Sequence, residues 1–130
     1  MISHFFALAK DRLIKVAKSL TLKDRFVQLC LMSSILINIS MWFLLLVSIS
    51  PSEFPIPLHY NVFFGIDYID SWYKVFLIPC FGILTLLVNF VLTYLLYLKE
   101  RILSYFLTLT TLIVHVFLII ASYLIIGLNL

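Results

Sequence analysis

Residues 75–128 read VFLIPCFGILTLLVNFVLTYLLYLKERILSYFLTLTTLIVHVFLIIASYLIIGL. Two charge-free apolar runs, 75–98 and 102–128, flank a single charged turn, Lys99-Glu100-Arg101. A helix of 24 residues is about 36 Å long, enough to cross a hydrocarbon core of about 30 Å with some tilt. Two such runs joined by three residues read as antiparallel membrane-crossing helices. Upstream, residues 26–49 form a third run of the same kind. Composition agrees. Of 130 residues, 64% are hydrophobic and 12% charged, against about 25% charged in a soluble domain. A domain this small cannot hide that much apolar surface from water, which excludes a soluble globular protein, and the same surface excludes disorder. No run alternates in polarity as a membrane barrel strand does.

Basic residues set the orientation. Six of the nine Lys and Arg fall in residues 1–25, two in the turn 99–101, and one, Lys74, in the segment 50–74. The positive-inside rule places the N-terminus and the 99–101 turn in the cytoplasm and the 50–74 loop outside. Three crossings then leave the C-terminus extracytoplasmic. The first run exceeds the length of a signal-peptide core, and Pro51 directly follows the small-x-small triplet Ser48-Ile49-Ser50. It reads as an uncleaved signal anchor.

Residues 1–25 have a different pattern. Phe5, Ala9, Leu13, Val16, Ala17 and Leu20 recur at helical spacing, with Asp11, Lys15, Lys18 and Ser19 on the other side and Ser3 as a cap. This suits a basic amphipathic helix on the cytoplasmic leaflet, or a helix docked on a partner protein. Thr21-Leu22-Lys23-Asp24 reads as a fresh capping signal before the first span. The expected fold is an all-α membrane protein: three transmembrane helices (26–49, 75–98, 102–128), the N-terminal amphipathic helix and an ordered extracytoplasmic loop.

Each span carries one polar residue near its middle: Asn38, Asn89 and His115. Counted from the cytoplasmic ends they lie about 18, 14 and 20 Å deep. Asn38 and His115 should share a level, with Asn89 about one turn nearer the cytoplasm. Neighbours extend these positions into stripes: Cys30, Ser34 and Asn38; Gly82, Thr85, Asn89 and Thr93; Ser104, Thr108, Thr111, His115 and Ser122. Lipid satisfies neither an amide nor an imidazole, so the stripes are expected to face one another. Ordinary glue between helices explains them. A proton or ion path through His115 is the sharper alternative, although no Asp, Glu, Lys or Arg lies within a span.

The loop 50–74 is the least generic segment. Pro51, Pro55 and Pro57 forbid helix. Phe54, Ile56, Leu58, Tyr60, Val62 and Phe64 then alternate with other residues, as in a strand or a chain lying on the membrane surface. Gly65 is a turn point, and Trp72 and Tyr73 sit where an interface anchor belongs. Leaving Phe54, Phe63, Phe64, Tyr68 and Trp72 in water would cost about 25 cal/mol per Å², so the loop is expected to be ordered, with these rings on the interface or on each other. Glu53, His59, Asp67 and Asp70 have no metal-ligand spacing. His59 and Asn61 are better read as holding the loop backbone by hydrogen bonds. The aromatics also suit a docking surface, and the net charge of −2 favours basic outer partners.

Pro57-Leu58-His59-Tyr60-Asn61, followed by Gly65, Asp67 and Lys74, resembles the PxHF/WN…G…K signature of the DUF1648 family of bacterial and archaeal multi-span membrane proteins. That signature has two residues between the Asn and the Gly; here Val62, Phe63 and Phe64 make three. The resemblance covers about residues 26–98. It implies a prokaryotic membrane protein with this loop after its first span. It also implies a class that includes immunity and signalling proteins answering a secreted killing peptide.

Function is expected to be protein or membrane interaction, as an assembly subunit, accessory factor or immunity-type protein. The alternative is an oligomeric transport or proton-coupled component using Asn38, Asn89 and His115. An enzyme is the least favoured reading, since no nucleophile–base pair, metal motif or phosphate loop is visible. The candidate loop site is His59, Asn61, Gly65, Asp67 and Trp72. No catalytic, cofactor or metal residue is assigned. Expected partners are the lipid bilayer and other membrane proteins or further copies of the chain, with no nucleic acid.

Overall fold

The computed structural model describes residues 20–130. The amphipathic helix expected over residues 1–25 therefore lies almost wholly outside the described residues. Three long helices carry the fold: α1 (Arg25–Ser48), α2 (Leu77–Leu96) and α3 (Arg101–Leu128). Each is long and apolar enough to cross a membrane. Asp24 starts α1 in extended conformation, its Oδ1 accepting from Phe26 N at 2.9 Å and Val27 N at 3.3 Å, two donors that no helix carbonyl can reach. At the other end Ile49 leaves the helix in extended conformation and Pro51 follows two residues later. A turn of 3₁₀ helix, Trp72–Phe76, leads into α2.

The all-α expectation needs one correction. Residues 56–70 form an antiparallel hairpin, β1 (Ile56–Asn61) and β2 (Gly65–Asp70). The prolines remove helix as an option, and the β-branched and aromatic residues that follow suit a pleated chain. Val62, Phe63 and Phe64 make a three-residue connection, closed by Gly65 at φ 76°, which a side chain would strain. The Asn61 carboxamide accepts from Phe63 N at 2.9 Å and locks the turn. The ladder skips Leu58 on one strand and Asp67 on the other. These two bulges free both side chains from strict alternation. Leu58 packs on the helix ends, and Asp67 reaches His59.

Helix α3 is the central element, packing along both α1 and α2, which touch each other much less. Its buried face carries Ser104, Thr108, Thr111, His115, Ser122, Ile125 and Ile126. That of α1 carries Val27, Cys30, Leu31, Ser34, Asn38, Met41 and Leu45. Apolar clusters close both ends of the bundle. Leu45, Ile49, Val75, Ile125 and Ile126 meet at the hairpin end, and Val27, Leu31 and Tyr97 at the other. Between them the interface is largely small and polar. Large apolar side chains such as Leu29, Phe43 and Phe117 point outward. That inversion suits helices whose surroundings are lipid and whose contacts need small residues for close approach.

Candidate functional site

The middle of the bundle brings two of the three mid-helix candidates, Asn38 and His115, to one place. His115 is fully buried. Its Nδ1 lies 2.8 Å from Thr111 O. A carbonyl only accepts, so Nδ1 is the donor in this bond. Nε2 is buried with no hydrogen-bond partner among the described residues. Asn38 reaches across from α1, its Nδ2 donating to Pro79 O at 3.0 Å. Gly82 on α2 stands between them. A β carbon there would sit 2.6 Å from Asn38 Nδ2, 3.2 Å from His115 Nε2 and 3.3 Å from Leu118 Cδ1. The missing side chain at Gly82 is what lets the amide and the imidazole share one level.

Asn89 lies elsewhere. Its Nδ2 donates to Thr111 Oγ1 at 3.0 Å, and less well to Leu107 O at 3.5 Å. Thr111 therefore joins Asn89 to His115, accepting the amide at its hydroxyl and the imidazole at its carbonyl. The hydroxyls of Ser34, Thr108 and Ser122 mostly turn back onto carbonyls of their own helix. Such bonds hide a polar group without gluing helices together. The exception is Ser104, whose hydroxyl also donates across to Thr93 O at 3.2 Å.

The second group of candidates lies in the hairpin. His59 Nδ1 donates to Asp67 Oδ1 at 2.6 Å, so these two meet across the strands. Asn61 and Gly65 are paired at the turn. Trp72 stands apart from them in the 3₁₀ turn, edge-on to Phe76 with ring centroids 6.2 Å apart, and packs on the apolar cluster at the helix ends. The other loop aromatics do not follow it. Phe54, Phe63 and Phe64 stand clear of the other described residues, and Tyr68 is half exposed. The expected burial of all five rings is thus met within the fold only by Trp72. The two-stranded sheet has one side against α3 and, among the described residues, no second layer to receive the others.

At the hairpin base, Asp70 accepts from Tyr68 OH at 2.6 Å, Ser71 N at 2.7 Å and the Lys74 ammonium. The Lys74 hydrogen bond, then those from Tyr68 and Ser71, hold this carboxyl well below the usual carboxylate range. The same carboxylate pushes the Tyr68 phenol up. Asn129, just past α3, donates to Pro57 O at 2.9 Å and to Ile125 O at 2.8 Å, pinning the start of β1 to the helix. Among the described residues, no three His, Cys, Asp or Glu gather to hold a metal ion.

A third centre escaped the sequence reading beyond its capping role. Asp24 sits at the end opposite the hairpin with its side chain 7% exposed. Its Oδ2 accepts from Tyr97 OH and Tyr105 OH, each at 2.6 Å, and from Arg101 Nη2 at 3.0 Å. The guanidinium lies over both tyrosine rings, 5.3 and 5.6 Å from their centroids. Burial alone would raise the Asp24 pKa. Hydrogen bonds from Tyr105, Tyr97, Arg101 and the Val27 amide outweigh it and hold the carboxyl well below its ordinary value. One carboxylate thus ties the start of α1 to the end of α2 and the start of α3. The available signal was two tyrosines flanking the 99–101 turn, on the side of the membrane to which the charge rule also assigns Asp24. No family model matches the chain, and no curated protein or solved structure matches it.

Proposed function

We propose that this is a three-span membrane protein that works by contact of its hairpin with protein or membrane rather than by catalysis, with its N-terminus in the cytoplasm and the hairpin outside. The observation that carries the reading is the hairpin itself. It is tied to α3 through Asn129 and packed on the helix ends through Ile56 and Leu58. Yet it leaves Val62, Phe63 and Phe64 more than 80% exposed. An ordered element that displays apolar side chains suits recognition, because the entropy of ordering is already spent before anything binds. The eight-to-one distribution of basic residues supports the orientation. The likeness of the 57–74 segment to the DUF1648 signature favours an accessory or immunity-type role within that reading.

A second reading rests on His115. A buried imidazole nitrogen with no hydrogen-bond partner among the described residues suits a transport or proton-coupled component. One experiment separates the two. In cells lacking the gene, the deletion phenotype should be rescued by the wild type and by Asn38→Ser and His115→Gln variants. It should not be rescued by a chain whose residues 56–70 are replaced with a Gly/Ser linker of equal length. Rescue by the linker chain, with failure of His115→Gln, would favour transport over contact.

A further inference from the structure

Residues 60–66, Tyr-Asn-Val-Phe-Phe-Gly-Ile, form the hairpin tip and carry no charge. The ionisable groups of the hairpin and its exit sit nearer the base, as the Asp67–His59 and Asp70–Lys74 pairs. Anchoring decides where the tip goes. Asn129 holds Pro57 O at the end of α3. The next three residues of β1, Leu58, His59 and Tyr60, then border a crevice of about 290 Å³ against the flank of that helix. The opposite wall is Ala121, Leu124, Ile125 and Leu128. Ala121 lies about 10 Å below Leu128 along the axis. The strand therefore lies beside the last two turns of α3 and does not stand off its end. The crevice is apolar and continuous with the outward face of α3, where Leu124 and Phe117 are 63% and 68% exposed.

We infer that the hairpin is seated in lipid. Val62, Phe63 and Phe64 enter the leaflet on the hairpin side at the boundary of headgroups and acyl chains, and an acyl chain fills the crevice between β1 and α3. This rests on the reading of the three helices as spans. Depth is limited by the backbone. A two-stranded sheet has two open edges, whose N–H and C=O groups find no partners in hydrocarbon. The interfacial zone supplies water and headgroups for those edges while accepting aromatic rings. The Asn61 bond to Phe63 N removes one donor at the tip itself. A protein partner would need the same rings to be held out in water.

The test is the depth of position 63 in reconstituted protein. Phe63→Cys, made with Cys30→Ala and Cys80→Ser, is labelled with an environment-sensitive fluorophore in vesicles of phosphatidylcholine and phosphatidylglycerol. Phe117→Cys on the outward face of α3 and Glu53→Cys ahead of the hairpin are the references, and Val62→Cys is a second reporter of the tip. Lipids brominated on the acyl chain should quench labels at 62, 63 and 117. Aqueous iodide should quench those at 62 and 63 at least about threefold less than that at 53. Iodide quenching at 62 and 63 equal to that at 53, with 117 still quenched by the lipid, would overturn the inference and make the tip a protein-docking surface. A label at 117 open to iodide would remove the spanning reading, and this inference with it.

Discussion

Asp24 concentrates more structural work than any other described carboxylate. It caps α1 with one oxygen and accepts two phenols and a guanidinium with the other. Losing a helix cap costs about 1 kcal/mol, and stripping the acceptor from half-buried donors adds roughly as much again or more. Asp24→Ala should therefore destabilise the bundle by about 2–4 kcal/mol in a detergent-denaturation titration. The sign with pH follows from the depressed pKa. The contribution is complete above the unfolded carboxylate value of about 4 and is lost as pH falls from there toward the lower folded value. The stability gap between wild type and Asp24→Ala should be flat from pH 7 to 5 and shrink below about pH 4. At mid-bundle, Gly82→Ala would put a methyl 2.6 Å from Asn38 Nδ2. The carboxamide is the free end of a flexible side chain, so it can move, but its bond to Pro79 O would be strained or lost. The expected cost is about 1–3 kcal/mol by the same titration, and an unchanged midpoint would mean that the helices separate freely there.

Among the elements, the hairpin has the weakest claim to stability of its own, since an isolated two-stranded ribbon is marginal in water. Its order depends on the contacts of Ile56 and Leu58 with the helix-end cluster and on Asn129. Asn129→Ala removes a bond worth about 1 kcal/mol, so opening of the hairpin should become roughly fivefold more frequent. Hydrogen exchange at the amides of residues 59–68 should accelerate accordingly while exchange in the three helices stays as in the wild type. Equal acceleration in α3 would show that Asn129 supports the helix end and not the strand. The strand-like alternation of the loop was legible in the sequence because side-chain period is a local property. The bulges at Leu58 and Asp67 were not. They arise where one strand must turn Leu58 onto α3 while the other brings Asp67 to His59.

For the whole molecule, the proposed orientation makes a direct forecast. In chains carrying single cysteines, Glu53→Cys should react with a membrane-impermeant thiol reagent in intact cells, and Glu100→Cys only after permeabilisation. Labelling at position 100 without permeabilisation would reverse the assignment. The arrangement gives α3 a special place, because it packs on both neighbours while α1 and α2 touch little. The Asp24 centre ties all three helices at one end, and the apolar cluster with the hairpin closes the other.

The sequence by itself determined three helices of membrane-crossing length, because hydropathy and the 1.5 Å rise are properties of a segment taken alone. It also determined the matched levels of Asn38 and His115, which follow from counting residues into each helix. Only the tertiary structure decided that these two meet over Gly82 while Asn89 stops at Thr111. Rotation of each helix about its axis is set by how all three faces interlock, and no single segment encodes that. The Asp24 centre was hidden for the same reason. Its donors lie 73, 77 and 81 residues away in sequence, and only the closing of the bundle brings them within reach of one carboxylate.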